Sequence, residues 1–365
     1  MSTKEKVLQS LTEAKGQAIS GEELAENFNV SRAAIWKAVK ALRSEGILIE
    51  GTTNGGYILS DDDIFDSGLF EKTFSSSFPE FSDSHLECHK EIDSTITYAK
   101  RLLAECGNLR SYDGSLTEAG KRYHKSVILA EKQTAGRGRL GRTFVSPEKS
   151  GVYLSVIYAP KGGITNPASL TAFTAVGVCR AIKKLYGLSP KIKWINDLFA
   201  GGKKICGILA EGITNFESGI IESAIVGIGI NLKQSKAISQ AGLQNIAGSI
   251  EEALKTDSNL NSSQATTSLN RIVLASEVAG QILRIFENTS PESKTQIMEE
   301  YRAASFLLGQ EITVFPLIGD TSKSYKARST SIDDNAGLIV TLSDGTSKTL
   351  SSGEVSLKSD VIAKL

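Results

Sequence analysis

The chain is short of the residues that build several common devices. Its four cysteines, Cys88, Cys106, Cys179 and Cys206, lie far apart and form no CxxC pair. That argues against a disulfide framework or a structural zinc site and for a reduced, cytoplasmic setting. Three histidines are too few to suggest a Ser/His/Asp set. His85 and His89 flank Cys88, but alternation along a strand would put Cys88 and His89 on opposite faces, so no metal site is expected. Neither charge is in excess: Lys+Arg and Asp+Glu are 41 each in 365 residues, which excludes a basic field over the whole protein. No run approaches the ~20 apolar residues that span a bilayer. The stretch Lys4-Glu5-Lys6 before Val7 lacks the apolar core of a signal peptide, so no membrane partner is expected. There is no GxxxxGK[ST] loop and no GxGxxG opening a helix, so any nucleotide must be held by other means.

What is present is an ordinary folded composition, 40% hydrophobic and 22% charged, long enough for two or three domains. Residues 1–62 read as a winged helix-turn-helix. Ser20 followed by Glu23 is a capping box, and Ser31 caps a second helix in which Ile35, Val39 and Leu42 recur at helical spacing. The opposite face of that helix carries Arg32, Ala33, Trp36, Lys37 and Lys40. Ile47–Glu50 and Tyr57–Leu59 bracket a turn-rich tip at residues 52–56 that reads as a wing. Such a face belongs in a major groove, with Ser31 and the basic residues on the DNA; the plain alternative is a solvated face or a protein contact. One module binds weakly, so a dimer is expected.

Residues 63–84 read as a linker with a helix from Ile64 to Phe74. Residues 85–304 alternate strands, such as Val152–Tyr158 and Ala224–Ile230, with helices over Leu170–Tyr186 and Asn270–Glu287, which makes an α+β sheet domain. Ser258–Ser268 reads as a polar mobile loop. Residues 305–365 turn to short strands, with Asp344-Gly345 as a hairpin turn, and suggest a small barrel.

Three features carry chemistry. Gly136-Arg137-Gly138-Arg139-Leu140-Gly141-Arg142 joins planar anion donors to a backbone free to close around a ligand, between the strand ending at Gln133 and that at Val152. A disordered RNA-binding segment is the alternative, but those are long repeats. Lys193-Trp194-Ile195-Asn196-Asp197 sets a lysine at a strand end, suited to a carboxylate or phosphate, ahead of a Gly201-Gly202 hairpin and Lys203-Lys204. A surface lysine on an edge strand is the commoner case. Gly227, Gly229 and Asn231 fall on one face of a strand, leaving it bare for a helix or for a ligand.

In order, these segments, with Asp93-Ser94-Thr95, Lys204–Leu209 and Gly353-Glu354-Val355-Ser356-Leu357, resemble the bifunctional biotin protein ligases that double as biotin-operon repressors. The resemblance spans nearly the whole chain. It implies a central class II synthetase-like mixed sheet and a C-terminal SH3-like β-barrel. It implies biotin and ATP as substrates with Mg²⁺, transfer to a biotin carboxyl carrier protein, operator DNA as partner and a homodimer when the adenylate is bound. By resemblance Lys193, Arg137 and Arg139 are catalytic, with Lys193 between the biotin carboxylate and the α-phosphate. Biotin would meet Ser94, Thr95, Gln133, Gly136, Arg137, Gly138, Arg139, Lys193, Gly207, Gly227 and Gly229. ATP would meet Arg139, Arg142, Lys193, Asn196, Lys204 and Asn231. Three positions depart from the pattern: Ile96 stands for an Asn, Ile195 for a Pro and Phe144 for a Trp, and residues 111–125 look inserted. A sensor that has lost the ligase activity, or a ligase for lipoate, are the other readings of the same motifs.

Overall fold

Hydroxyl caps and apolar spacing lay out the N-terminal helices. The computed structural model describes residues 1–14, 17–44, 47, 49–52, 56–59, 63–214, 219–257, 268–288, 290–316 and 323–357. They divide into two compact units, Met1–Thr73 with Ser268–Val273 and Phe74–Thr267 with Leu274–Leu365.

In the first unit Ser2 caps helix α1 (Thr3–Glu13), and Ser20 Oγ accepts from Glu23 N ahead of α2 (Gly21–Phe28). Ser31 Oγ accepts from Ala34 N ahead of α3 (Arg32–Ser44). Between α2 and α3, Asn29 takes the left-handed conformation at φ 53°, which asparagine tolerates. Val7, Leu11, Leu24, Ile35, Val39 and Leu42 bury together with Ile49 of β1 (Ile49–Thr52) and Leu59 of β2 (Gly56–Leu59). β1 and β2 pair antiparallel, and Ile19 exchanges backbone bonds with Tyr57 at 3.0 and 2.8 Å, fixing the hairpin to the start of α2. The wing tip at 53–55 lies outside the described residues, as does the polar loop at 258–267. Asp63 and Arg271 form a buried pair, Nε to Oδ2 at 2.9 Å, with both side chains at most 3% exposed. Removing one partner would strand the other's charge at a cost of about 3–5 kcal/mol.

The linker helix, α4 (Ser67–Ser77), starts later than its apolar pattern suggests because Asp66 Oδ1 accepts from Leu69 N and so caps it. It also runs on through Ser75–Ser77, where the sequence predicts irregular linker. Phe70, Phe74 and Phe78, four apart and fully buried, carry the helix past serines of low propensity.

The second unit is built on a seven-stranded mixed sheet. Its order is β3 (Leu86–Ile92), β4 (Val127–Gln133), β5 (Gly151–Tyr158), β9 (Ile221–Asn231), β8 (Lys203–Thr214), β7 (Asp197–Ala200) and β6 (Lys191–Lys193). β3 and β4 run parallel and the other neighbours antiparallel. β5 is buried along its length and β9 from Ser223 onward. Helix α5 (Thr95–Cys106) packs on β4, β5 and β9. The short α6 (Glu118–Tyr123) leads into β4, and α7 (Pro167–Tyr186) packs on β8 and β9. Gly201 and Gly202, at φ 56° and 73°, make the two-residue hairpin between β7 and β8. The C-terminal strands form a five-stranded antiparallel sheet: β13 (Ser347–Leu350), β12 (Leu338–Thr341), β11 (Tyr325–Ile332), β10 (Glu311–Phe315) and β14 (Glu354–Ser356). Among the described residues no ladder joins β13 to β14, so the sheet is open. Nor is any described helix long and apolar enough to cross a membrane.

Residues 111–125, which look inserted in the sequence, are tied to the sheet. The Arg110 guanidinium donates to the carbonyls of Ala159 and Gly114, and His124 Nδ1 accepts from Ala159 N at 3.1 Å. Burial pushes the His124 imidazole down to about 4 from its ordinary 6.5, against a weak opposing pull from Glu287. Between those values the unfolded chain binds the extra proton, so stability rises with pH there. The contribution is complete above about pH 6.5 and is lost as pH falls to about 4, roughly 3 kcal/mol in all. In chemical denaturation across this range, His124→Gln should flatten the pH dependence. An unchanged slope would show that His124 is not its source.

Candidate active site

The site grows from the ends of β4 and β8 and from the bare face of β9. At the start of α5, Thr95 N donates to Gln133 Oε1 at 2.9 Å, and Ser155 Oγ donates to Thr95 Oγ1 at 2.8 Å. Gln133 Nε2 in turn donates to Ser146 Oγ at 2.8 Å, so the amide of Gln133 is fixed from both ends. Ser94, 1% exposed, occupies the cap position with no side-chain cap bond.

The arginine loop folds back on itself. Gly138 N donates to Arg142 O at 2.7 Å and Phe144 N to Gly136 O at 2.9 Å. Each arginine meets a protein group. Arg137 lies 3.4 Å from Glu211, and Arg139 donates to Asn196 Oδ1 at 3.0 Å and to Gly353 O at 3.3 Å. Arg142 grips Glu354 through two bonds of 2.7 and 2.9 Å, which holds the Glu354 carboxyl below the usual carboxylate range.

The bare face of β9 is occupied. A Cβ on Gly227 would come within 2.3 Å of Ile96 Cδ1, and one on Gly229 within 2.5 Å of the Phe144 ring. The face that the glycines leave bare is therefore covered by two apolar side chains, one from α5 and one from the arginine loop.

Two adjoining cavities result. A narrow one of about 50 Å³ is lined by Ser94, Thr95, Ile96, Gln133, Arg137, Gly207, Gly227 and Gly229. A larger one of about 520 Å³ is lined by Arg142, Lys193, Trp194, Asp197, Asn231 and Glu354, with Ile238, Leu243 and Ile246 as an apolar side. Gly138, Arg139, Phe144, Asn196 and Lys204 line both. All the residues expected at biotin or ATP thus come together except Gly136, which lines neither. Its missing Cβ would meet Phe144 O at 2.3 Å, so it serves the fold of the loop.

The two lysines differ in setting. Lys204 Nζ pairs with Asp197 at 2.6 Å and sits where the cavities meet. Lys193 lines the larger cavity alone, and burial pulls its ammonium below the usual lysine range, partly offset by Asp197 and Glu354. Asn196 Nδ2 donates to Ile208 O and Asn231 Nδ2 to Gly248 O, both at 3.0 Å. The Trp194–Ile195 peptide is cis.

Sequence reasoning misses the carboxylates that hold the loop. Glu354 stands within a segment that the motifs mark, whereas Glu211 carries no local signal. Ser155 is legible only through pairing, since it lies opposite Gly227 in the ladder. In the first unit Ser31, Arg32, Ala33, Trp36, Lys37 and Lys40 are all exposed on or beside α3, and Lys40 Nζ lies 5.2 Å from the centre of the Trp36 ring. His85 and His89 both bond Glu87 on β3, and no described group of three or more side chains is arranged to hold a metal.

Against known proteins, the biotin/lipoate A/B protein ligase family model matches residues 111–231, and an HTH domain model matches residues 3–58. The bifunctional ligase/repressor BirA of Bacillus subtilis (strain 168) is 32% identical over 249 residues, 68% of this chain and 70% of that protein. The protein of the same name in Escherichia coli (strain K12) is 26% identical over 346 residues, 95% of each chain. The biotin protein ligase from Aquifex aeolicus, solved with biotin and ATP, shares the fold with TM-score 0.52 and 24% identity, over 74% of this chain and 97% of that one. A winged helix ahead of this sheet and site defines a ligase that carries a DNA-binding module. The chain belongs to the family of bifunctional biotin ligase/repressors.

The Arg142–Glu354 grip makes a prediction that needs no substrate. Glu354→Gln should loosen the loop, seen as faster hydrogen exchange of the 137–143 amides and faster tryptic cleavage after Arg139 and Arg142. Unchanged exchange and cleavage would mean that the loop holds itself without Glu354.

Proposed function

We propose that this chain is a biotin–[acetyl-CoA-carboxylase] ligase of the AMP-forming kind and a biotin-responsive repressor. The biotin carboxylate oxygen attacks the α-phosphorus of ATP, a P–O bond forms, and pyrophosphate leaves with the electrons of the broken bond. The ε-amine of a lysine on the carboxyl carrier protein then attacks the acyl carbon, expels AMP and loses a proton to give the amide.

The observation that carries this is the junction of the two cavities, where Arg139 and Lys204 stand together. The first step brings two anions into contact, so the cations belong where the acid and the nucleotide meet. The narrow cavity suits the acid, with Ser94, Thr95 and Gln133 offering polar contacts to a ureido group. The larger one, with its apolar side and Lys193, suits the nucleotide, with Asn196, Asn231 and Arg142 beside it. Lys193 then faces phosphates, and we place Lys204 between carboxylate and α-phosphate, where the resemblance puts Lys193. Mg²⁺ would come with the triphosphate, and Asp197, the partner of Lys204, is the carboxylate beside it; one or two carboxylates with substrate phosphates are the usual way this ion is held.

The remaining assignments follow from the same activity. We take residues 1–62 as the DNA-binding domain, 63–84 as linker, 85–304 as catalytic domain and 305–365 as an SH3-like domain whose Gly353 and Glu354 hold the arginine loop. A protein that uses ATP and operator DNA works in the cytoplasm, and a symmetric operator calls for a homodimer.

Two measurements check this. Lys204→Gln should lower kcat for biotin-dependent pyrophosphate exchange by about 10²–10³-fold, whereas Lys193→Gln should mainly raise KM for ATP. An equal fall in kcat for both would remove Lys204 from the junction. For the winged helix, replacing Lys37 and Lys40 by Ala should reduce the salt dependence of DNA affinity by about 0.9 in log–log slope for each phosphate no longer neutralised. A slope equal to the parent's would place the DNA elsewhere.

A further inference from the structure

Two side chains sit on the bare strip of β9, and they are held very differently. Phe144 belongs to the arginine loop, where its N donates to Gly136 O at 2.9 Å. Ile96 belongs to α5, is 4% exposed, and packs in a core cluster with Ala99, Leu103, Ile128, Ile157 and Ile225. Its Cδ1 and Cγ1 come within 2.3 and 2.6 Å of where a Cβ on Gly227 would be, so it already fills the room that this glycine leaves. The narrow cavity cannot deepen past it without breaking that cluster.

We propose that Ile96 is a specificity-determining residue: it is the fixed apolar end wall of the acid pocket and selects the bound acid by the size and polarity of its ring. This rests on biotin being the acid that the pocket takes. Next to Ile96, Thr95 and Gln133 form the polar side for the ureido group, and Leu209 continues the apolar side. The thioether ring therefore meets hydrocarbon at Ile96. A buried isoleucine offers no hydrogen bond, so oxygen added to the ring sulfur would be stripped of water with nothing in exchange and would clash with the wall. A methylene-sized change in such a pocket shifts selectivity by about 10–200-fold.

The test is calorimetric binding of biotin and of biotin sulfone, without ATP, to the full chain and to its Ile96→Ala and Ile96→Val variants. The parent should prefer biotin. Ile96→Ala should shift the biotin:sulfone preference toward the sulfone by at least about tenfold, with Ile96→Val between. A side chain that only supports the fold would lower the melting temperature and weaken both ligands by the same factor. An unchanged preference in either folded variant, with biotin still bound, would overturn the wall while leaving the ligase standing. If Ile96→Ala does not fold, the preference measured with Ile96→Val decides. Failure of the parent to bind biotin would overturn the ligase reading, and the wall with it.

Discussion

Everything at the site depends on two missing Cβ atoms in the middle of a sheet. β9 lies between β5 and β8, and its own residues are buried from Ser223 onward, so whatever faces Gly227 and Gly229 decides what the pocket is. A pair of alanines there would push into Ile96 and Phe144, moving α5 and the arginine loop outward together. The glycines thus do more than leave space. They let a helix and a loop from different parts of the chain meet over one strand, which brings Thr95, Gln133, Arg139 and Lys204 within reach of a single ligand.

The second constraint is charge. A chain with no net charge cannot attract anions as a whole, so the cations of the site are placed singly, most of them with a local counter-ion. Arg142 has Glu354, Arg137 has Glu211 and Lys204 has Asp197. Lys193 differs: burial rather than pairing dominates its surroundings, and its ammonium is weakened as a result. An incoming phosphate would relieve that penalty directly, whereas at the paired residues it must compete with a carboxylate. Binding of an anionic nucleotide should therefore draw its largest electrostatic gain from the side of the larger cavity.

Much of this is legible in the sequence because the signals are local. The caps at Ser20 and Ser31, the spacing of Ile35, Val39 and Leu42, the Gly201-Gly202 hairpin and the strand around Gly227 each depend on a few neighbouring residues. The arginine loop is legible because three arginines among three glycines have few structural uses. Long-range pairings are not. Nothing near Glu211 marks it as the partner of Arg137, and nothing near Ile96 shows that it will lie on Gly227. The extension of α4 through its serines escapes local reading for a related reason. Phe70, Phe74 and Phe78 are a helical stripe, but local propensity at Ser75–Ser77 argues the other way, and burial decides it. The two lysines show the same limit. Spacing identifies Lys193 and Lys204 alike as strand-end cations, and only the sheet order determines which of them stands where the cavities meet.

The arginine loop is held by contacts to the rest of the protein, and each of them is modest. The Arg137–Glu211 and Arg142–Glu354 pairs are solvent-exposed, with arginine side chains 42% and 65% exposed, so each contributes on the order of 0–1 kcal/mol. The bonds of Arg139 to Asn196 and Gly353 add about 1 kcal/mol each, the net worth of an ordinary hydrogen bond. Together these polar contacts are worth a few kcal/mol, to which the packing of Phe144 on Gly229 adds. For the ligase proposed above, latches of this size are the useful ones. Stronger pairs would shut out the acid, and weaker ones would release the activated intermediate before a carrier lysine reached it. A loop that must do both is better served by several exposed, replaceable contacts than by one buried pair, because each can be exchanged for a ligand group in turn.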